Sequence, residues 1–254
     1  MAKIIDINEE NIDELELFCK KTKKKLAGYQ NKVKWIKERF KEGLKYKLLM
    51  VKEGNKETSR GMIEYIPGKY NWRSIQADGW MVIHCLWVVG KHKEKGYGSK
   101  LLELAINDAK ESGMYGVVGM TADKGGWLPK KIIYEKLGFE KVDQTEPYFH
   151  LYAKIFDDKA PKPKFHPILE EKKKQYEKGV TIIYSDQCPY VVDLVEEIKD
   201  EPNGDDVKLI KFNNCKEAQE NGIHPYGTYC AICNGEISLY QHTLKKQIQA
   251  ILNQ

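Results

Sequence analysis

Residues Gly90 to Ala105 read GKHKEKGYGSKLLELA, and the reading of this stretch decides the fold of the first half of the chain. Before it comes MVIHCLWVV (81–89), a run of β-branched, aromatic and aliphatic residues long enough for a buried strand. After it comes LLELAINDAK (101–110), with apolar residues at helical spacing. The order is strand, glycine loop, helix. Gly96 and Gly98 leave room for backbone N–H groups to turn toward an anion where the helix begins, and the unpaired amides and helix dipole there favour negative charge. Lys91, Lys93, Lys95 and Lys100 add a basic rim. Taken alone, the stretch is either a phosphate cradle or an ordinary turn, since two glycines near lysines are common in turns.

The 254 residues exceed the usual size of one domain, and 41% hydrophobic with 31% charged residues is an ordinary soluble composition. No apolar run approaches the ~20 residues of a membrane span. MAKIIDINEE carries no signal-peptide pattern, so a cytoplasmic protein is expected, and six cysteines at irregular spacing then read as thiols. The net charge of +5 divides unevenly, with +10 on residues 1–179 and −5 on residues 180–254. Much of the excess lies in CKKTKKKLAGYQNKVKWIKERFKEG (19–43), which reads as a solvated helix face, so no nucleic-acid partner is expected.

The sequence DDKAPKPKFHP (157–167) alternates Pro and Lys, which predicts a semi-rigid connector without regular pairing. Three segments follow: a first domain over 1–157, a linker and helix over 158–178, and a second domain over 179–254. In the first, strands are predicted at 2–7, 45–52, 59–66, 80–89, 115–121 and 147–155, with helices within 9–43, at 98–112 and at 129–137. The fold class is α/β (α+β), a mixed sheet flanked by helices, followed by a small α/β domain.

LWVVGKHKEKGYGSKLLELA is followed, at a fixed distance, by KIIYEKLGFEKV (131–142). Together these resemble the GCN5-related N-acetyltransferase superfamily. Lys93, Gly96 and Gly98 stand where that family has its pyrophosphate loop, and Tyr134 with Lys136, Leu137, Gly138 and Phe139 matches its later motif. The resemblance implies acetyl-CoA as cosubstrate, with coenzyme A held by Lys93, Glu94, Lys95, Gly96, Tyr97, Gly98 and Ser99. It also implies backbone donors from a splayed strand end at Leu86, Trp87 and Val88, and Tyr134 as the acid that protonates the departing thiolate. Acyl transfer needs both a donor to the oxyanion and a proton for sulfur. His84 is the candidate base, with Glu64 and Asp123 as other candidates. The chain has Trp127 and Lys130 where the family commonly has Asn and Ala, and Trp72, Trp80, Trp87 and Trp127 either line an acceptor pocket or fill the core.

The second domain reads β-α-β-α-β-β-α and resembles a small thioredoxin or glutaredoxin fold of the YoaP-like type. Cys188-Pro189-Tyr190 begins like the glutaredoxin motif at a helix start, where a thiolate is stabilised and a lowered thiol pKa is expected. Val191 stands in place of a second cysteine. Cys230 and Cys233 lie three apart on a strand, point to opposite faces, and read as structural thiols, so no metal is expected. The reading is an acetyl-CoA-dependent N-acetyltransferase acting on a primary amine of a small molecule or peptide, with a thioredoxin-like appendage that helps to shape the acceptor site. A membrane partner is not expected, and a homodimer is compatible with it. The alternatives are a non-catalytic binder of coenzyme A or another anion with a thiol-bearing partner domain, and a monothiol redox protein centred on Cys188.

Overall fold

Leu101, Leu102, Ala105, Ile106 and Ala109 form one buried stripe of a helix that closes the glycine loop onto a sheet. The computed structural model describes residues 2–124, 127–167, 170–201 and 204–239, and the chain divides into two units. One comprises Met1–Phe18, Lys37–Asn71 and Ile75–Phe165. Its strands are β1 (Ala2–Ile7), β2 (Lys45–Glu53), β3 (Lys56–Pro67), β4 (Ile75–Gln76), β5 (Met81–Val88), β6 (Gly116–Ala122), β7 (Glu140–Thr145), β8 (Phe149–Ile155) and β9 (Lys164–Phe165). Helix α2 (Tyr97–Glu111) follows β5, and the short α3 (Lys131–Glu135) follows β6; of α1 (Ala27–Phe40), which precedes both in the chain, residues 27–36 belong to the other unit.

Seven strands form one sheet in the order β1-β2-β3-β5-β6-β8-β7, in which only β5 and β6 are parallel neighbours. A parallel pair needs a crossover, and α2 supplies it. The stripe of α2 packs with Ile63, Tyr65, Met81, Ile83 and Leu86 in one core, which also takes in Tyr134 and Phe139.

Local chemistry explains where expectation and structure part. Residues 9–26 form turns, so the only helix before β2 among the described residues is α1. The predicted helix at 129–137 contracts to α3, because Lys130 is extended and Gly138 turns back at φ 73°. Strand β7 was not foreseen; its half-exposed, polar residues hide the alternation. The Pro/Lys connector is also less irregular than expected. Lys164–Phe165 pairs with Ile75–Gln76, and the Phe165 N–H donates to Asp143 Oδ2 at 2.8 Å.

The other unit comprises Cys19–Ile36, Trp72–Ser74 and His166–Gln254. Its elements are α4 (Glu170–Lys174), β10 (Val180–Tyr184), α5 (Pro189–Lys199), β11 (Val207–Lys211), α6 (Cys215–Glu220), β12 (Tyr229–Cys233) and β13 (Glu236–Leu239). The sheet order is β11-β10-β12-β13, with β10 parallel to β11 and antiparallel to β12. Pro189 opens α5, where its missing N–H costs nothing, and Asn214 caps α6 by accepting the Glu217 N–H at 3.0 Å. The helix expected at the C-terminal end lies outside the described residues.

Candidate active site

Strands β5 and β6 pair only at Met81 with Val117, Val82 with Val118 and Ile83 with Gly119. Beyond that point each stays with its outer neighbour: β5 pairs with β3 as far as Val88, and β6 with β8 as far as Ala122. The sheet therefore opens as a wedge between the ends of two parallel strands. Its cause is visible in the register. Glu64 faces Cys85 and the next residue, Tyr65, faces Ile83, so β5 carries one additional residue, His84, as a bulge. A bulge bends and twists its strand, here away from β6.

Tyr134 on α3 is fully buried, and its phenol oxygen occupies the space over Gly119 that a Cβ would need. Gly119 is the last residue of β6 that pairs with β5, so the hydroxyl lies at the apex of the wedge. Tyr152 stacks on the Tyr134 ring at 6.2 Å between centroids, and Phe139 stands 5.2 Å away. The sequence held a signal for this: a glycine inside the strand GVVGMTA marks a close approach.

The glycines of the loop have different tasks. Gly96 precedes α2 at φ 76°, a left-handed conformation that only glycine adopts readily, and no side chain caps the helix start. Gly98 lies inside the first turn, where a Cβ would come within 2.7 Å of Ile133 Cδ1, so it serves the contact between α2 and α3. Lys93, Glu94, Lys95 and Gly96 are exposed, and Tyr97, Gly98 and Ser99 are half-buried. The first turn of α2 holds no acidic residue.

The three candidate bases separate in this geometry. His84 and Glu64 are both fully buried, with Nδ1 and Oε1 3.4 Å apart, on the bulge and the strand beside it. Asp123 is exposed beyond β6 and accepts from His150 Nε2 at 2.9 Å; that hydrogen bond holds its carboxyl below the usual range, which weakens it as a base. Of the tryptophans, Trp72 and Trp80 are core, with the Trp80 indole donating to Pro161 O at 3.0 Å. Trp87 and Trp127 are half-buried and lie 5.5 Å apart, one on the free arm of β5 and one beyond the end of β6.

In the second unit, Cys188 caps α5, but its thiol is pushed up rather than down. Burial is the largest cause, opposed by the N–H groups of Val191 and Tyr190 and by the charges of Lys32 and Arg73. This corrects the lowered pKa expected from the motif. Cys188 itself is half-buried, and residues distant in sequence pack around the start of α5. Gly28 lies so close to Pro189 O that a Cβ would overlap it, and its N–H donates to Asp193 Oδ1 at 2.7 Å. Arg73 donates to Tyr226 O at 2.8 Å and lies 4.1 Å over the Tyr226 ring. Nothing near Cys188 in sequence announced these partners. Cys230 is buried, which pushes its thiol up as well, and among the described residues no group of three or more His, Cys, Asp or Glu could hold a metal. No helix among them is long and apolar enough to cross a membrane.

The chain is similar to several known proteins. Among solved structures, yncA of Salmonella typhimurium, described with acetyl-CoA, is 17% identical with a TM-score of 0.45, covering 63% of this chain and 96% of its own. A ribosomal-protein-alanine N-acetyltransferase of Brucella melitensis is 14% identical with a TM-score of 0.43, covering 61% and 99%. The curated protein YoaP of Bacillus subtilis (strain 168), described as an uncharacterized N-acetyltransferase, is 33% identical over 253 residues, 98% of each chain. Residues 10–139 match the family described as Acetyltransferase (GNAT) family, and with that match and the full-length relative, the chain belongs to the GNAT acetyltransferases.

Proposed function

We propose that the chain transfers an acetyl group from acetyl-CoA to the primary amine of a small molecule or peptide. The observation that carries this reading is the Tyr134 hydroxyl held against Gly119 at the apex of the wedge. The start of α2, from Gly96 to Ser99, with the Lys93 to Lys95 turn before it, holds the pyrophosphate by backbone N–H groups. Backbone groups of Leu86 to Val88 on the free arm of β5 donate to the thioester oxygen as it becomes an oxyanion. His84, oriented by Glu64, takes the proton released when the amine nitrogen forms its bond to carbon. As the carbon–sulfur bond breaks, Tyr134 gives its proton to sulfur and regains one from solvent. A phenol with a reference pKa near 10 is protonated at neutral pH and suits that step.

For residues 179–254 we propose a thioredoxin-like appendage without dithiol chemistry. Its support is the strand order β11-β10-β12-β13 and Val191 in place of a resolving cysteine. The test of the whole reading is thiol release from acetyl-CoA, measured across amino acids, polyamines, amino sugars and peptides. Release with at least one amine class supports it. Binding of coenzyme A without release for any class would leave a binding module instead.

A further inference from the structure

We infer that Glu53 is a positioning residue for the coenzyme A loop, holding the 90–96 segment in shape through His92 before any ligand arrives. The inference rests on the reading of that loop as the pyrophosphate site. Glu53 ends β2, and its carboxylate takes three partners. Arg60 on β3 holds one oxygen, while the other lies 2.9 Å from His92 Nε2 and 3.3 Å from Lys91 Nζ. Two of the three belong to the loop. Among residues 90–96, His92 is the only buried one, so it is the loop's single inward anchor. The backbone adds a second tie, because Val89 N–H donates to Arg60 O at 3.0 Å. The His92 ring then stands 6.3 Å from that of Tyr97, the first residue of α2. A chain of contacts thus runs Arg60, Glu53, His92, Tyr97, from the β2–β3 hairpin to the helix start.

The loop needs such a brace. Gly90, Glu94 and Gly96 all take positive φ, at 62°, 61° and 76°, and no strand pairs with the segment. Lys91, Lys93 and Lys95 repel one another. A loop left to order on binding would lose affinity to the entropy of that ordering, whereas one fixed beforehand would not. The carboxylate is held down to about 2, chiefly by Arg60 and then by His92, so Glu53 stays ionised throughout the working range of pH. Ion pairs that stay partly open to solvent, as at Glu53, contribute little to stability, so the expected effect is on loop order and ligand affinity, not on folding.

Glu53→Gln keeps the shape and removes the charge. Amide hydrogen exchange over residues 90–98 of the ligand-free protein should accelerate about tenfold, while the melting temperature changes little. Coenzyme A affinity by calorimetry should weaken about tenfold, with the KM for acetyl-CoA rising in step and kcat within about twofold. His92→Ala should do the same, and the double variant should be no worse than either single one, because the two act through one contact. His92→Gln, which retains a donor, should recover part of the loss. Unchanged exchange in Glu53→Gln overturns the brace. If the parent protein fails to bind coenzyme A, the proposed function falls, while the exchange measurement still decides whether Glu53 orders the loop.

Discussion

The phenol oxygen of Tyr134 fills the space in which residue 119 would carry its Cβ, so the hydroxyl on α3 and the glycine on β6 are mutually required. Gly119→Ala should push the ring away from the wedge, destabilise by about 1–3 kcal/mol through overpacking, and lower kcat. Tyr134→Phe, which keeps the packing, should lower kcat by roughly 10²- to 10⁴-fold, the range of general acid catalysis, with coenzyme A affinity barely changed. The double variant should have a kcat no lower than Tyr134→Phe. An intact kcat in Tyr134→Phe would make the tyrosine structural.

The loop glycines should respond differently to alanine. Gly96→Ala meets open space but a left-handed backbone, so it should cost about 1–2 kcal/mol and weaken coenzyme A binding. Gly98→Ala meets the end of Ile133, and Gly98→Ala with Ile133→Val should regain parent stability and affinity. Thermal melts paired with calorimetry check both. If the double variant stays weak in binding while folding normally, Gly98 serves the ligand and not the helix contact. Gly98→Glu, which adds charge at the anion site, should abolish coenzyme A binding.

Cys188 should be a slow thiol. Since burial raises its pKa, alkylation by iodoacetamide at neutral pH, mapped by mass spectrometry, should run at least about tenfold slower than in urea-unfolded chain. Cys188→Ser should leave acetyl transfer intact. Cys188-dependent reduction of insulin disulfides would restore the redox reading.

Acid should weaken the second unit through His224. Burial, with the charge of Arg73, holds its imidazole down to about 3, against about 6.5 in an unfolded chain. Its Nδ1 accepts the Tyr226 N–H at 3.0 Å, which protonation of that nitrogen would break. Between those pH values the unfolded chain binds the additional proton, so stability falls as pH drops through the window, by up to about 1.4 kcal/mol per unit. Above about pH 6.5 the residue is neutral in both states and adds no pH dependence. His224→Gln, which retains an acceptor, should flatten the urea midpoint against pH from 6.5 to 4. An unchanged slope would remove His224 as the cause.

Local pattern determined most of what is built from neighbours in the chain. Strands β5 and β6, helix α2 and the αL glycine at 96 follow from apolar periodicity and from a backbone conformation that side chains resist, and each can be read within a window of about fifteen residues. The chemistry of Cys188 could not be read that way. A thiol before a proline at a helix start predicts a low pKa, yet burial reverses the direction even against the charges of Lys32 and Arg73, residues more than a hundred positions away. The wedge itself is a matter of register: one additional residue at His84 separates β5 from β6, and α3 then sets Tyr134 over Gly119. Pairing register, burial and the close approach of distant backbones are sums over contacts that no single stretch of sequence contains, and for that reason tertiary structure alone decided them.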